Sequence, residues 1–473
     1  MVLFRNFVAL ILFFLITKNV SAQEGYLNSD YLIVRSIKIT GNNRTNEKII
    51  KRELKFKEND TLKIAQLITS IESSKENLKN TSLFNGVNIH YIIVAGEFAD
   101  FYITLEERWY FWPTMYFNHT ERNFNTWWQD KDMSKIGYGA GFSIKNMRGR
   151  NEVFKLNTRF GYSTRIELAY EKIALDKARK HHLGIYYSFQ IQDQLPYNTI
   201  NNKPVYIKIR GTQLLYFQEM NFKYYYRPKH KIKHNAEIKY LQIEASDTIV
   251  NLNTDYLLGQ NELRFFRLKY FFEYENRDFI HYPLKGQYFS FEIAKNGLKL
   301  IEPQIYNDFY INLSLIHHHP LNDRFTLSSA FFSVISENKP KPYAFTQGLG
   351  YRINLRGFEY YTVEGYTHIL SQNQLKLNII KPFSFQMNFI PSPKFSKAFL
   401  AVYLNLFADY GYVWTEKAWA EENHNTLSNS NLYSFGLGLD IVSYYDKVLR
   451  IDFAYNSLKE YGFFINFKAA LHK

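Results

Sequence analysis

From Trp112-Pro113 to the C-terminus the chain alternates apolar and polar side chains with a period of two, and helical periodicity disappears. In "DFYINLSLI", Phe309, Ile311, Leu313 and Leu315 share one face while Tyr310, Asn312 and Ser314 take the other. In "QLKLNI", Leu375, Leu377 and Ile379 oppose Lys376 and Asn378, and in "RIDFAYN" Ile451, Phe453 and Tyr455 oppose Asp452, Ala454 and Asn456. Such strands have one apolar and one polar face, and no helices remain here to cover either. A β-sandwich accepts this pattern, and so does a membrane barrel with lipid outside and water inside. Closure is the only way a sheet crosses a bilayer without exposed edge hydrogen bonds. Roughly 360 residues at about ten per crossing plus loops allow about sixteen antiparallel strands.

Composition decides for the barrel. Aromatic residues make up 18% of the chain, with 38 Tyr and 41 Phe, and half-polar rings settle at lipid–water interfaces. A mean hydropathy of −0.34 follows from each strand being polar on one side. The N-terminus, "MVLFRNFVALILFFLITKNVSAQ", has a basic start at Arg5, an apolar core from Phe7 to Ile16, and small residues Ser21 and Ala22. That is the layout of a secretory signal over residues 1–22, with an apolar run too short to span a bilayer. With no cysteine, disulfides, cysteine-bound zinc and a cysteine-linked lipid anchor are excluded. The net charge of +14 is scattered along the chain, so charged loops or anionic lipid account for it and nucleic acid is not an expected partner.

Residues 31–108 read differently. "YLIVRSIKIT" alternates as a strand and stops at "GNNR". Thr45 is positioned to cap a helix running through Leu54. A second helix is predicted from Thr61 to Leu78, with Leu62, Ala65 and Ile68 on one stripe and Ile64, Leu67 and Ile71 beside it. "LFNGVNIHYIIV" is read as a turn at Asn85-Gly86 followed by a strand, and "FYITLEER" as another. The order strand, helix, helix, strand, strand makes a small α+β domain. "ERWYFWP" (Glu107–Pro113) reads as an interfacial aromatic anchor opening the barrel at residue 112, which extends to 473.

Enzyme chemistry is not expected. There is no Gly-x-Ser-x-Gly elbow, His-Glu-x-x-His pair or phosphate loop. His317-His318-His319 lie along a strand, where neighbours point to opposite faces, and neither metal nor cofactor is anticipated. The segment "LRGFEYYTVEGY" joins Arg356 to Gly357 and aromatics, and in "LNLFADYGYVW" Phe407, Asp409 and Gly411 alternate onto one face. An inward aspartate is a receptor for an arginine folded into the lumen.

These motifs resemble those of the BamA/TamA superfamily of outer-membrane insertases and translocators, which includes the two-partner secretion transporters. Leu355-Arg356-Gly357-Phe358 matches its loop motif and Phe407-x-Asp409-x-Gly411 its receptor strand. Asn276-Arg277-Asp278 with Pro283-x-x-Gly286 fits its hairpin signature, and "NMRGRNE" (146–152) resembles its first barrel hairpin. The resemblance implies a periplasmic βααββ (POTRA) domain, here a single unit, ahead of a sixteen-stranded outer-membrane barrel whose sixth extracellular loop enters the lumen. It further implies a weak seam between first and last strands, and a POTRA edge strand at Val87–Val94. Unfolded outer-membrane or secreted clients, outer-membrane lipid and accessory lipoproteins are the implied partners. The implied function is insertion or translocation of proteins; the alternatives are a pore for one dedicated exoprotein and a passive channel.

Overall fold

The computed structural model describes residues 30–467 apart from 120–124, 126–130, 132–135, 177, 301–305, 338–340, 347, 352, 387–396 and 444–446. The export signal read at residues 1–22 lies outside the described residues.

The N-terminal domain runs β1 (Tyr31–Thr40), α1 (Glu47–Glu53), β2 (Thr61–Lys63), α2 (Ile64–Asn80), β3 (Phe84–Ala95) and β4 (Phe98–Glu107). Its sheet has the order β2-β1-β4-β3, with β1 parallel to β4, so β3 stands at an edge. Local details depart from the sequence reading. Thr61–Lys63 pairs with Tyr31–Ile33 as a strand, so α2 starts at Ile64 rather than Thr61. The cap of α1 is Asn46, whose side chain accepts from the Lys48 amide, because the Thr45 hydroxyl is engaged by Glu107 and Tyr110. Asn85-Gly86 forms a bulge inside β3 rather than a turn. The buried stripe of α2 is Leu67, Ile71, Ser74 and Leu78, while Ile68 faces solvent. Phe56 and Phe101 meet in the core at 4.4 Å between ring centroids.

The rest is a 16-stranded antiparallel sheet. Its strands are β5 (Phe111–His119), β6 (Ile136–Met147), β7 (Glu152–Gly161), β8 (Ser163–Ala174), β9 (His181–Gln192), then β12 (Leu215–Lys229) and β13 (Ile232–Ala245). They continue with β14 (Glu262–Glu275), β15 (Gly286–Asn296), β16 (Asp308–Pro320), β17 (Phe325–Ser336), β18 (Thr367–Gln386) and β19 (Lys397–Trp414), and end with β20 (Leu432–Ser443), β21 (Lys447–Asn456) and β22 (Tyr461–Asn466). A separate hairpin, β10 (Gln194–Ile200) and β11 (Lys203–Lys208), stands in the loop between β9 and β12. Among the described residues no helix is long and apolar enough to cross a membrane.

The sheet is inside out relative to a water-soluble protein. On β20, Ser434 and Asp440 are 2% and 0% exposed, while Phe435 and Leu437 are 52% and 49% exposed. The lumen is therefore packed and polar, and the outer wall is apolar, as lipid requires. Among the described residues, the turn 276–285 is the longest connection at the near end, beside the N-terminal domain, and the far end carries the long loop joining β17 to β18. Among the described residues no ladder joins β5 to β22, so these two strands flank a seam.

Candidate functional site in the barrel lumen

The loop joining β17 to β18 folds back into the lumen. The Phe358 amide donates to the Leu355 carbonyl at 3.1 Å and the Tyr361 amide to the Phe358 carbonyl at 2.9 Å, which closes a tight tip. Gly357 sits there at φ +83°, a left-handed conformation, and a Cβ would lie 3.2 Å from Ala454 Cβ and 3.3 Å from Ser434 Cβ. Glycine is needed both for the turn and for the approach to the wall. Leu355 and Phe358 are buried in a cluster with Leu349, Val363, Leu370 and Val413.

That tip aims Arg356, 1% exposed, at β18 and β19. Its Nε donates to Asp409 Oδ2 at 2.7 Å and its Nη2 to Asp409 Oδ1 at 2.5 Å. Nη1 donates to Gln374 Oε1 at 2.9 Å, and Nη2 also reaches the Asn373 carbonyl at 3.3 Å. The guanidinium stacks 4.0 Å from the Phe407 ring centroid. Asp409 Oδ2 takes a further bond from Gln372 Nε2 at 3.2 Å. Gly411 leaves room for the Leu349 side chain, which would lie 3.0 Å from a Cβ. The fork-to-fork geometry is specific to arginine.

The same loop grips the last two strands. Asn456 Nδ2 donates to the Gly357 carbonyl at 2.7 Å and the Tyr361 hydroxyl to Glu460 Oε1 at 2.7 Å. Tyr360 lies 5.3 Å from the ring of Phe464, which points inward from β22 against Phe407 and Ala454. On the seam side of β22, the Asn125 side chain imitates a paired backbone: its Oδ1 accepts from the Ile465 amide at 2.8 Å and its Nδ2 donates to the Ile465 carbonyl at 3.3 Å.

A second intrusion comes from the near end. In the turn between β14 and β15, the Asn276 amide donates to the Gln287 carbonyl at 2.9 Å. Gly286, at φ +102°, closes the turn where a Cβ would sit 2.1 Å from the Asn276 carbonyl oxygen. Asp278 Oδ1 accepts from the amides of Phe279 and Leu284 at 2.8 and 3.1 Å. Burial raises its carboxyl pKa above the usual value despite those amides. Arg277 pairs with Glu275 through Nε at 2.7 Å and stacks 4.7 Å from the Tyr288 ring centroid. The tip carries Tyr282 across the lumen, where its hydroxyl donates to Asp440 Oδ2 at 2.7 Å. Lys376 Nζ donates to the Pro283 carbonyl at 3.1 Å and lies 4.2 Å from the Tyr282 ring centroid.

The structure thus brings Arg356 together with Asp409, and it places the Asn276–Gly286 motif as a separate plug. Tyr282, Asp440, Lys376, Gln372 and Gln374 were missed from sequence. The last three share the inward parity of β18, opposite Leu375 and Leu377, and that alternation marked them. In the histidine run, His318 faces inward and bonds Ser328 at 2.8 Å, while His317 and His319 stack on each other on the other face.

The N-terminal domain is hydrogen-bonded to the near end. The Asn46 amide donates to the Gly149 carbonyl at 2.9 Å, and Asn146 Nδ2 to Thr45 Oγ1 at 2.8 Å. Tyr110, read from sequence as part of a lipid anchor, is instead buried at this junction, while Trp109 and Phe111 beside it are exposed. Glu53, 0% exposed, takes both prongs of Arg227 at 2.8 and 3.1 Å and faces His230 Nδ1 at 3.3 Å.

Comparisons with known proteins agree with this arrangement. The family described as "POTRA: Surface antigen variable number repeat" matches residues 32–108, and "Omp85 superfamily domain" matches residues 146–464. No curated protein sequence matches the chain significantly. Among solved structures, BamA from Haemophilus ducreyi lacking POTRA domains 1–3 aligns with a TM-score of 0.52 at 15% identity, covering 92% of this chain and 83% of that one. CdiB from Escherichia coli aligns with a TM-score of 0.53 at 12% identity, covering 92% and 75%. At these identities the likeness is one of fold. The family match spans most of the barrel and follows a POTRA match at the domain of β1 to β4; the chain belongs to the Omp85 superfamily.

Proposed function

We propose that this protein assembles or translocates polypeptides at the bacterial outer membrane, with its POTRA domain in the periplasm. The observation that carries the reading is the seam. β5 and β22 lack a ladder among the described residues, and the loop held by Arg356 and Asp409 presses on β22 from inside. An incoming strand that pairs with an open edge satisfies its backbone groups without crossing bare lipid. Each bond formed at the edge favours entry, so client folding supplies the energy.

The POTRA edge supports the same reading. His90 to Val94 are all exposed on β3, whose outer backbone edge is unpaired in the domain sheet. An extended chain adds to such an edge by main-chain hydrogen bonds with little sequence preference. A passive channel is disfavoured because the lumen is filled from both ends, by Leu355–Phe358 and by Tyr282. Clients in outer-membrane or secreted form, outer-membrane lipid and accessory lipoproteins are the proposed partners.

The test is reconstitution. Purified protein in liposomes is given an unfolded outer-membrane barrel, and folding is followed by gel mobility against empty liposomes and against Arg356→Ala. Acceleration that the variant loses supports an insertase working through the lumen loop. No acceleration by a well-folded wild type transfers the reading to a dedicated secretion pore.

A further inference from the structure

Between the POTRA helices and the near-end wall lies a cavity of about 420 Å³, a volume in the range of ligand sites. α1 contributes Arg52, the end of α2 Glu76, Asn77 and Asn80, and the β6–β7 turn Arg150; β8, β9 and β12 to β14, with the turns after β12 and β14, form the rest of the wall. Seven Lys and Arg side chains line it against four Glu. Of the glutamates, Glu273 is paired with Lys233, Glu275 with Arg277, and Glu171 with Lys155. Arg150, Lys172 and Lys231 have no ion-pair partner among the described residues. Arg277 also lines the cavity, but its charge is met by Glu275 and its Nη1 is sealed from the space, so the three unpaired cations carry the positive potential there.

We propose that this cavity is a receiving site for carboxylate-rich stretches of extended polypeptide, a reading that rests on the polypeptide-handling function above and names a preference within it. The position favours a polypeptide over a free small anion. Asn80 and Thr81 line the cavity and lead directly into β3 at Phe84, so a chain added to the β3 edge has one end beside the cavity. Unpaired cations in its lining attract acidic segments and repel basic ones. The site therefore sorts segments by charge before they reach the seam.

The experiment uses the full-length protein in detergent micelles and an Asp/Ser peptide bearing a neutral dye, with its Asn/Ser counterpart and inorganic phosphate as controls. The Asp/Ser peptide should bind on the order of tenfold more tightly than the Asn/Ser peptide, and added salt should erase the difference. Lys231→Glu combined with Arg150→Glu should abolish the preference, and Lys231→Arg should keep it. Both positions lie in near-end turns and, among the described residues, make no hydrogen bond or ion pair to the POTRA helices, although Lys231 acts electrostatically on Glu76 of α2; gel mobility checks that the barrel is folded. Equal binding of the two peptides, or a preference that survives the double reversal, overturns the proposal. Full competition by phosphate at matched ionic strength also overturns it, by showing a small-anion site. Charge-selective binding without any acceleration of client folding would remove the insertase reading while leaving this site standing.

Discussion

Arg356 and Asp409, 53 residues apart in sequence, meet inside the lumen in a two-pronged contact that leaves both side chains at most 2% exposed. Removing one partner of a buried pair strands the other charge, which costs about 3–5 kcal/mol. Arg356→Ala should therefore lower the temperature at which the folded, fast-migrating gel form is lost, and Asp409→Asn should do the same. The double variant should be far less damaged than the sum of the singles. Additive losses would sink the pairing. Arg356→Lys keeps the charge but not the fork or the stacking on Phe407, so it should rescue little.

Tyr282 closes the near end of the lumen. Tyr282→Ala should raise single-channel conductance in planar bilayers, because the ring against Tyr403 and Lys376 is lost. Tyr282→Phe should leave conductance low and destabilise by about 1–3 kcal/mol through the unmet Asp440 carboxylate. Equal conductance in wild type and Tyr282→Ala would show that the turn does not gate the lumen.

The POTRA junction should loosen in acid. Burial alone would raise the Glu53 pKa, but Arg227, His230 and Arg52 outweigh it and hold the carboxyl well below its ordinary value of 4.5. A depressed folded-state pKa stabilises docking fully above the unfolded value, and that contribution is lost as pH falls below about 4.5 towards the depressed one. Because the chain has no native cysteine, two dyes attached at neutral pH to an engineered cysteine pair across the junction report docking by energy transfer, independently of thiol ionisation. Energy transfer should fall with pH below that value in wild type and be low at neutral pH in Glu53→Gln. A flat wild-type profile would contradict the linkage.

Asn125 caps the backbone of β22 at Ile465. Asn125→Ala should speed hydrogen exchange at the Ile465 amide and weaken the seam by about 0.5–1.5 kcal/mol. Unchanged exchange would mean that the side chain does not hold the edge in solution.

Much was legible because it depends on local parity. Period-two alternation fixed which residues of β16, β18 and β21 face lipid, and it put Phe407, Asp409 and Gly411 on one inward face. Helix boundaries in the POTRA domain were less legible. Thr61–Lys63 becomes a strand only because β1 is there to pair with it, and Thr45 gives up its cap because Glu107 and Tyr110 compete for its hydroxyl.

The sequence by itself determined an exposed apolar face, a buried polar face and, through the resemblance, the Arg356–Asp409 partnership. Only the tertiary structure decided that the 276–285 turn crosses the lumen to Asp440, and that Asn125 reaches Ile465 340 residues away. It also gathered Arg150, Lys172 and Lys231, scattered in sequence, around one cavity. The reason is physical. Alternation along a strand is set by the backbone of that strand alone, whereas contacts across a lumen depend on how sixteen strands curl to bring distant walls face to face.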